Sequence, residues 1–266
     1  MTPKRPAPQA CARALLRVFG EEALARKRID QLLVDRGVFD SRAKARAAIE
    51  AGRVSVAGRV VAKPSEQVDD NAEVAAEAAH PWVGRGALKL VHALDTWPIA
   101  VEGRVAIDVG ASTGGFTEVL LSRGAAFVFA VDVGRDQLHP SLRASDRVAD
   151  LSGVDARSLD DDRIAQPPGL IVSDVSFISL TKALPAALHL ATRGAELVAL
   201  IKPQFEAGRE HVGKGGLVKD PDVIARVERE IVAFLEAAGW SVRGLAESPI
   251  TGGEGQIERL VWATKL

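Results

Sequence analysis

The sequence predicts an α/β protein, a doubly wound and mainly parallel sheet preceded by a small α+β domain. Three observations carry this. A buried strand, a Gly-rich turn, a helix and a second apolar strand follow one another over residues 105–131, the opening unit of a doubly wound fold. Apolar runs and amphipathic stretches then alternate to the C-terminus. Ahead of them the charge is lopsided: residues 1–65 hold 14 Lys+Arg against 6 Asp+Glu, a net of +8, and the other 201 residues hold 20 against 29, a net of −9. A chain of 266 residues has room for two domains, and 47% hydrophobic with 26% charged residues excludes wholesale disorder.

Residues 1–25 fit no pattern and are set apart as an extension: an extra helix, a disordered tail or an over-long start of the reading frame. The first patterned segment is Arg28–Arg36 (RIDQLLVDR), which sets Ile29, Leu32 and Leu33 at helical spacing and stops at Gly37. Ser41 suits the N-cap of a second helix, Arg42–Ala51, closed by Gly52. Val54-Ser55-Val56, a turn at Ala57-Gly58 and Val60-Val61 then make a short hairpin ended by Lys63-Pro64, with one more strand around Ala72–Ala76. This order of helices, arginines and hairpin over residues 26–79 resembles the S4 RNA-binding domain. The resemblance implies an RNA-binding face formed by Arg26, Lys27, Arg28, Arg36, Arg42, Lys44, Arg46, Arg53 and Lys63. Such a face works mostly through the phosphate backbone and the shape of the RNA.

Residues 80–86 (HPWVGRG) read as a linker, and 87–266 as the second domain. His80 is expected at the surface, and Trp82 either couples the domains or packs between them. Val105–Val109 is the first strand, a helix runs from Gly115 to Arg123, and the next apolar run, Ala126–Val131, ends in Asp132. Gly110 and Gly114 would let the backbone approach a ligand where a Cβ would collide. Asp132 is placed to accept hydrogen bonds from ribose hydroxyls. Later strands are expected at Leu170–Ser173 and Leu197–Ile201 with a helix, Leu180–Ala191, between them. A helix over Pro221–Ala238 and strands at Ser241–Glu247 and Arg259–Ala263 complete the pattern. Ligands of open α/β sheets bind beyond the carboxyl ends of the strands. Asp174 and Lys202 each follow a strand directly and so project into that crevice. A structural Lys–Asp ion pair is the plain alternative there.

The turn D-V-G-A-S-T-G-G, with Asp108 ending the strand, looks like the S-adenosylmethionine (SAM) turn of methyltransferases, with NAD the alternative on geometry. The segments WVGRGALKL, DVGASTGGFT, SDVSFISL, LIKPQFE and VGKGGLVKDP together resemble the TlyA family of ribosomal RNA 2′-O-methyltransferases. That family joins an S4 domain to an FtsJ-like, Rossmann-like SAM-dependent methyltransferase domain. The resemblance implies a K-D-K-E tetrad on Lys89, Asp174, Lys202 and Glu258, with Glu254 a nearby alternative to the last. It implies SAM held by Asp108, Gly110, Ser112, Gly114 and Phe116 around its methionine end, by Asp132 at the ribose and by Asp155 at the adenine amino group. The family usually has Asn at the position of Asp155. The implied substrate is a cytidine ribose in the RNA of the small or large ribosomal subunit, and the implied state is a monomer with no metal.

The chemistry is coherent with those residues. A ribose 2′-hydroxyl is a poor nucleophile, and a lysine can take its proton only if burial or a neighbouring cation lowers the lysine pKa. Lys202 is therefore read as the base, Asp174 as its orienter, and Lys89 and Glu258 as positioning and electrostatic partners. The rivals are a non-catalytic RNA-binding or assembly factor, an NAD enzyme lacking a visible hydride partner, and a membrane-lytic protein, since the family has often been labelled haemolysin. No run approaches 18 apolar residues, and the best signal-peptide candidate, Cys11–Phe19, is interrupted by Arg13 and Arg17. A single cysteine, Cys11, forms no intrachain disulfide. A cytoplasmic location is expected.

Overall fold

A computed structural model of the chain describes residues 26–252 and 255–266. The expected extension over residues 1–25, with its signal-peptide candidate, and Glu254 therefore lie outside the described residues. The chain divides into two units between His80 and Pro81.

The first unit runs β1 (Arg26–Arg28), α1 (Ile29–Asp35), α2 (Arg42–Glu50), β2 (Val54–Val56), β3 (Arg59–Val60), β4 (Gln67–Asp69) and β5 (Val74–Ala76). The helical triple Ile29, Leu32 and Leu33 is fully buried against Ala45, Ala48 and Ile49 of α2 and Val54 of β2. Each large aliphatic side chain so buried contributes roughly 1.5–3 kcal/mol. Ser41 caps α2, its hydroxyl accepting from the Lys44 amide at 3.3 Å. β2 is the central strand of an antiparallel ribbon in the order β3-β2-β5. The pairing of β1 with β4 is a feature the sequence did not suggest, because strands of three residues carry too little alternation to be read.

One buried acid organises the basic residues of this unit. Asp30, with no exposed surface, accepts from Arg28 Nε and Nη2 at 3.0 Å each and from Arg42 Nη2 at 2.9 Å. The Arg28 guanidinium, opposed by burial and helped by Arg42, pulls the Asp30 carboxyl down to about 2. Arg28 and Arg42 keep 40% and 56% of their side chains exposed, so solvent screens the pairs. Arg36 is used differently, its guanidinium donating to the carbonyls of Ala72, at 2.7 Å, and Asp70. Lys27, Lys44 and Arg53 sit within 3.2 Å of Asp35, Asp40 and Glu77, while Arg46 and Lys63 are exposed.

The second unit contains α3 (Ala87–Thr96), β6 (Val105–Val109), α4 (Gly115–Ser122), β7 (Phe127–Asp132), α5 (Pro140–Arg143) and β8 (Val148–Ser152). After these come β9 (Leu170–Ser173), α6 (Leu180–Ala183), α7 (Pro185–Leu190), β10 (Glu196–Ile201), α8 (Pro203–Glu206), α9 (Pro221–Ala237), β11 (Trp240–Glu247) and β12 (Arg259–Lys265). A seven-stranded sheet is ordered β11-β12-β10-β9-β6-β7-β8. Its five members from β10 to β8 are parallel, while β12 runs antiparallel to both β10 and β11.

Alternate residues of the central strands feed opposite faces. Ile107, Val109, Phe129 and Val131 join the core under α7 and α9, and Ala106, Val128, Val172 and Val198 join the core under α3 and α4. This is why these strands read as unbroken apolar runs. Trp82 packs against the second of these cores, and His80 is partly exposed. The single helix expected over Leu180–Ala191 is two, α6 and α7, because Pro185 lacks the amide that would continue the first helix and starts the second. Among the described residues no helix is long and apolar enough to cross a membrane.

Asp30→Asn should cost about 1–2 kcal/mol at pH 7, since two guanidinium groups then face a neutral amide. The sign with pH follows from the depressed carboxyl: its contribution is present above the usual carboxylate value and disappears as pH falls through about 2. Amide hydrogen exchange of α1 and α2 in the full chain should therefore show parent and variant converging between about pH 4 and pH 2.

Candidate active site

Parallel strands present their carboxyl ends along one edge of the sheet, and three neighbours, β6, β9 and β10, each end there in a residue used by the site. β6 leads into the turn Gly110–Thr113, β9 into Asp174 and β10 into Lys202. β12 enters the same edge from the other direction. Its first residue, Arg259, pairs with Ile201, so Glu258 arrives beside Lys202 although nearly sixty residues separate them. Lys89 comes from α3, whose other flank buries Ala87, Leu90 and Ala93.

These four side chains meet. Lys89 Nζ lies 3.1 Å from Asp174 Oδ2 and 2.6 Å from Glu258 Oε2, and Lys202 Nζ lies 2.7 Å from Asp174 Oδ1. Lys202 also donates to Ser176 Oγ at 2.9 Å. Both lysines and Glu258 are buried, and a buried charge of this kind needs partners at such distances. Burial alone would push the Asp174 carboxyl up, but the ammonium groups of Lys89 and Lys202 outweigh it and hold it below the usual value.

The four groups line a cavity of about 310 Å³ whose other wall is the Gly-rich turn with Gly115 and Phe116. Gly110 has φ +87°, and a Cβ there would lie 3.0 Å from the Asp174 carbonyl oxygen. The turn and the carboxylate loop are thus in direct contact. Of the residues assigned to the cofactor, Gly110, Ser112 and Phe116 line the cavity.

The other four do not. Gly114 has φ +95°, but a Cβ there would strike Leu142 Cδ1 at 2.3 Å, so this glycine admits the packing of α5 rather than a ligand. Asp132 braces the turn, one oxygen accepting from the Ser112 amide at 2.8 Å and the other from the Gly134 amide at 2.7 Å. Asp155 caps the short helical turn after β8 and holds Arg157 at 2.5 Å, which, with the Arg157 amide, draws its carboxyl down to about 2. Asp108 is sealed beneath the turn, with Oδ2 accepting from Thr117 Oγ1 at 2.7 Å and Oδ1 without a partner. Burial, only partly offset by Thr117, pushes it up to about 7.

The structure adds residues that sequence reasoning passed over, although SDVSFISL and KPQFE contain all of them but Gln256. Phe177 is 91% exposed at φ +65°, a conformation that is strained for a bulky residue. Its ring centroid is 5.1 Å from that of Phe205, which in turn lies 6.0 Å from Lys202 Nζ. Glu206 accepts from Ser179 Oγ at 2.5 Å and the Leu180 amide at 2.8 Å, tying α8 to the loop after β9. Gln256, almost fully buried, grips both backbone groups of Val218, at 2.8 and 3.2 Å, and so anchors the segment leading to Glu258. Among the described residues no three His, Cys, Asp or Glu side chains are grouped as metal ligands would be.

Comparison with known proteins agrees with this arrangement. The FtsJ-like methyltransferase model matches residues 82–265, and the S4 domain model matches residues 27–74. Fold and site thus define an FtsJ-like methyltransferase carrying an S4 domain. Relatives narrow this. The 16S/23S rRNA (cytidine-2′-O)-methyltransferase TlyA of Mycobacterium tuberculosis is 46% identical over 239 residues, 89% of each chain. Hemolysin A of Brachyspira hyodysenteriae is 36% identical over 88% of this chain and 98% of its own. A solved structure from Streptococcus thermophilus, which carries a hemolysin name, is 41% identical with a TM-score of 0.72, covering 91% of this chain and 89% of that one. The chain belongs to the TlyA family.

Asp108 supplies a test of the buried layer under the turn. Its folded carboxyl keeps a proton that the unfolded chain releases near pH 4, so its contribution is full below that value and is lost as pH rises through about 7. Asp108→Asn should remove this decline and leave the variant more stable than the parent at pH 8, by roughly 1–3 kcal/mol. Thermal melts at pH 5 and pH 8 read the difference.

Proposed function

We propose that this chain transfers a methyl group from SAM to a ribose 2′-hydroxyl of ribosomal RNA, with cytidine as the target nucleoside. One observation carries the reading: two amines and two carboxylates from four separate elements converge on a cavity bounded by a Gly-rich turn at a strand end. A relative 46% identical over most of both chains is named for cytidine-2′-O-methylation of 16S and 23S rRNA. The cavity suits SAM: Gly110 and Ser112 offer backbone at close approach and Phe116 an apolar wall, beside a cluster whose charges balance. When bound, SAM supplies a methyl group activated by its sulfonium.

The chain's own residues do the rest. Lys89 is held by two carboxylates and serves as the anchor of the cluster. Lys202, held by one carboxylate oxygen and a hydroxyl, faces the cavity and takes the proton of the 2′-hydroxyl. Asp174 orients both amines, and Glu258 balances Lys89. Aligned reactants account for much of the rate, since proximity can supply roughly 7–11 kcal/mol. Phe177, whose ring meets that of Phe205 near Lys202, offers an exposed aromatic face on which the target nucleobase can stack. The S4 unit supplies RNA affinity through Arg28, Arg42 and the neighbouring exposed cations. The chain is taken to act as a cytoplasmic monomer on ribosomal subunits.

Purified chain, SAM and ribosomal subunits should yield 2′-O-methylcytidine, detected by mass spectrometry of nuclease-digested rRNA. Lys202→Ala should lower the yield at least ~100-fold. Phe177→Ala should lower kcat/KM for RNA roughly 5- to 150-fold while leaving SAM affinity intact. Equal methylation by the parent and Lys202→Ala would remove Lys202 as the base.

A further inference from the structure

Ser176 stands two residues beyond Asp174, at the exposed rim of the cavity, and its hydroxyl accepts from Lys202 Nζ at 2.9 Å. On the same nitrogen, Asp174 Oδ1 lies at 2.7 Å. The Asp174 contact is an ion pair without hydrogen-bond geometry, so it holds the nitrogen in place without fixing how it is turned. The Ser176 hydroxyl does take an Nζ–H in hydrogen-bond geometry. With one N–H held there, the rotation about the Cε–Nζ bond is set, and the direction of the lone pair with it, on an amine that lines the cavity.

With Asp174 alone as anchor, Nζ could turn about its last bond and put an N–H where the lone pair is needed. Lys89 has no such arrangement, since both of its partners are carboxylates. The loop carrying Ser176 is itself fixed, because Glu206 accepts from Ser179 Oγ and the Leu180 amide just beyond it. Ser176 buries little surface, so packing gives no reason for a serine here.

We infer that Ser176 is a positioning residue that aims the Lys202 lone pair at the ribose hydroxyl, an inference that rests on the methyl-transfer reading above. In that step Lys202 receives the 2′-hydroxyl proton as the oxygen takes the methyl group, leaving a lysine ammonium and a neutral thioether.

The test compares parent, Ser176→Ala and Ser176→Thr as full chains. Single-turnover methylation of ribosomal subunits is read together with calorimetric SAM binding, RNA binding and the thermal midpoint. Ser176→Ala should slow the single-turnover rate about tenfold, as expected for a misaimed base. SAM and RNA affinity and the midpoint should stay at parental values. Ser176→Thr keeps the hydroxyl and should recover most of the rate. The inference is overturned if Ser176→Ala methylates at the parental rate, if its loss lies in RNA affinity, or if the threonine variant, folded and binding normally, is as slow as the alanine variant. A parent chain that binds SAM but forms no 2′-O-methyl nucleoside would instead overturn the methyl-transfer reading.

Discussion

Everything in the larger unit is arranged around one carboxylate shared between two amines. Asp174 receives Lys89 on one oxygen and Lys202 on the other, and each lysine is buried. Taking four charges out of water costs several kcal/mol per ion, which their attraction offsets only when geometry is good and the remaining donors are paired. The second carboxylate, Glu258, with only 2% of its side chain exposed, meets that condition for Lys89, and Ser176 meets it for Lys202. Replacing any one of the four leaves a partner uncompensated in a poorly solvated place, so the cluster behaves as a unit whose members cannot be valued singly.

The architecture explains how residues so far apart in sequence reach this cluster. Parallel β9 and β10 place Asp174 and Lys202 at the same edge by register alone, with Ala199 beside Ser173. The reversal of β12 brings Glu258 to that edge. A last strand parallel to its neighbours would have carried Glu258 to the far side of the sheet. The one reversed strand, against the direction of the other six, is thus what completes the charge balance. Rigid elements supply each member, which suits chemistry that depends on placement within fractions of an ångström.

Legibility in the sequence follows from these causes. Val105–Val109 and Leu170–Ser173 are read to the residue because each is an apolar run buried on both faces and closed by a polar residue or glycine. Asp174 and Lys202 are legible for the same reason, as the residues that end such runs. Lys89 and Glu258 are not: α3 lies at the start of the second domain in a stretch for which no helix is read, and nothing along the chain announces that the last strand is reversed. Only the family resemblance located them. The cofactor assignments are less distinct: Asp132 and Asp155 satisfy backbone amides and an arginine, and Gly114 makes room for a leucine. A turn must satisfy its own polar groups first, and pattern alone does not separate that use from binding. Pro185 was visible throughout, yet helical periodicity on both sides of it concealed that the helix restarts there.

Charge balance suggests why the cluster has this composition. With all four groups ionised, Lys89, Lys202, Asp174 and Glu258 sum to zero, and the site is neutral without help from solvent. A sulfonium brought to the cavity adds one positive charge. Against that charge the two amines are held unequally: Lys89 is gripped by two carboxylates, whereas Lys202 meets one carboxylate and a neutral hydroxyl. A cluster of one lysine and one carboxylate would also be neutral, but on the reading proposed above its only anchor would also have to be the base. Two pairs sharing Asp174 let one amine hold the carboxylates in place and, on that reading, leave the other for the proton.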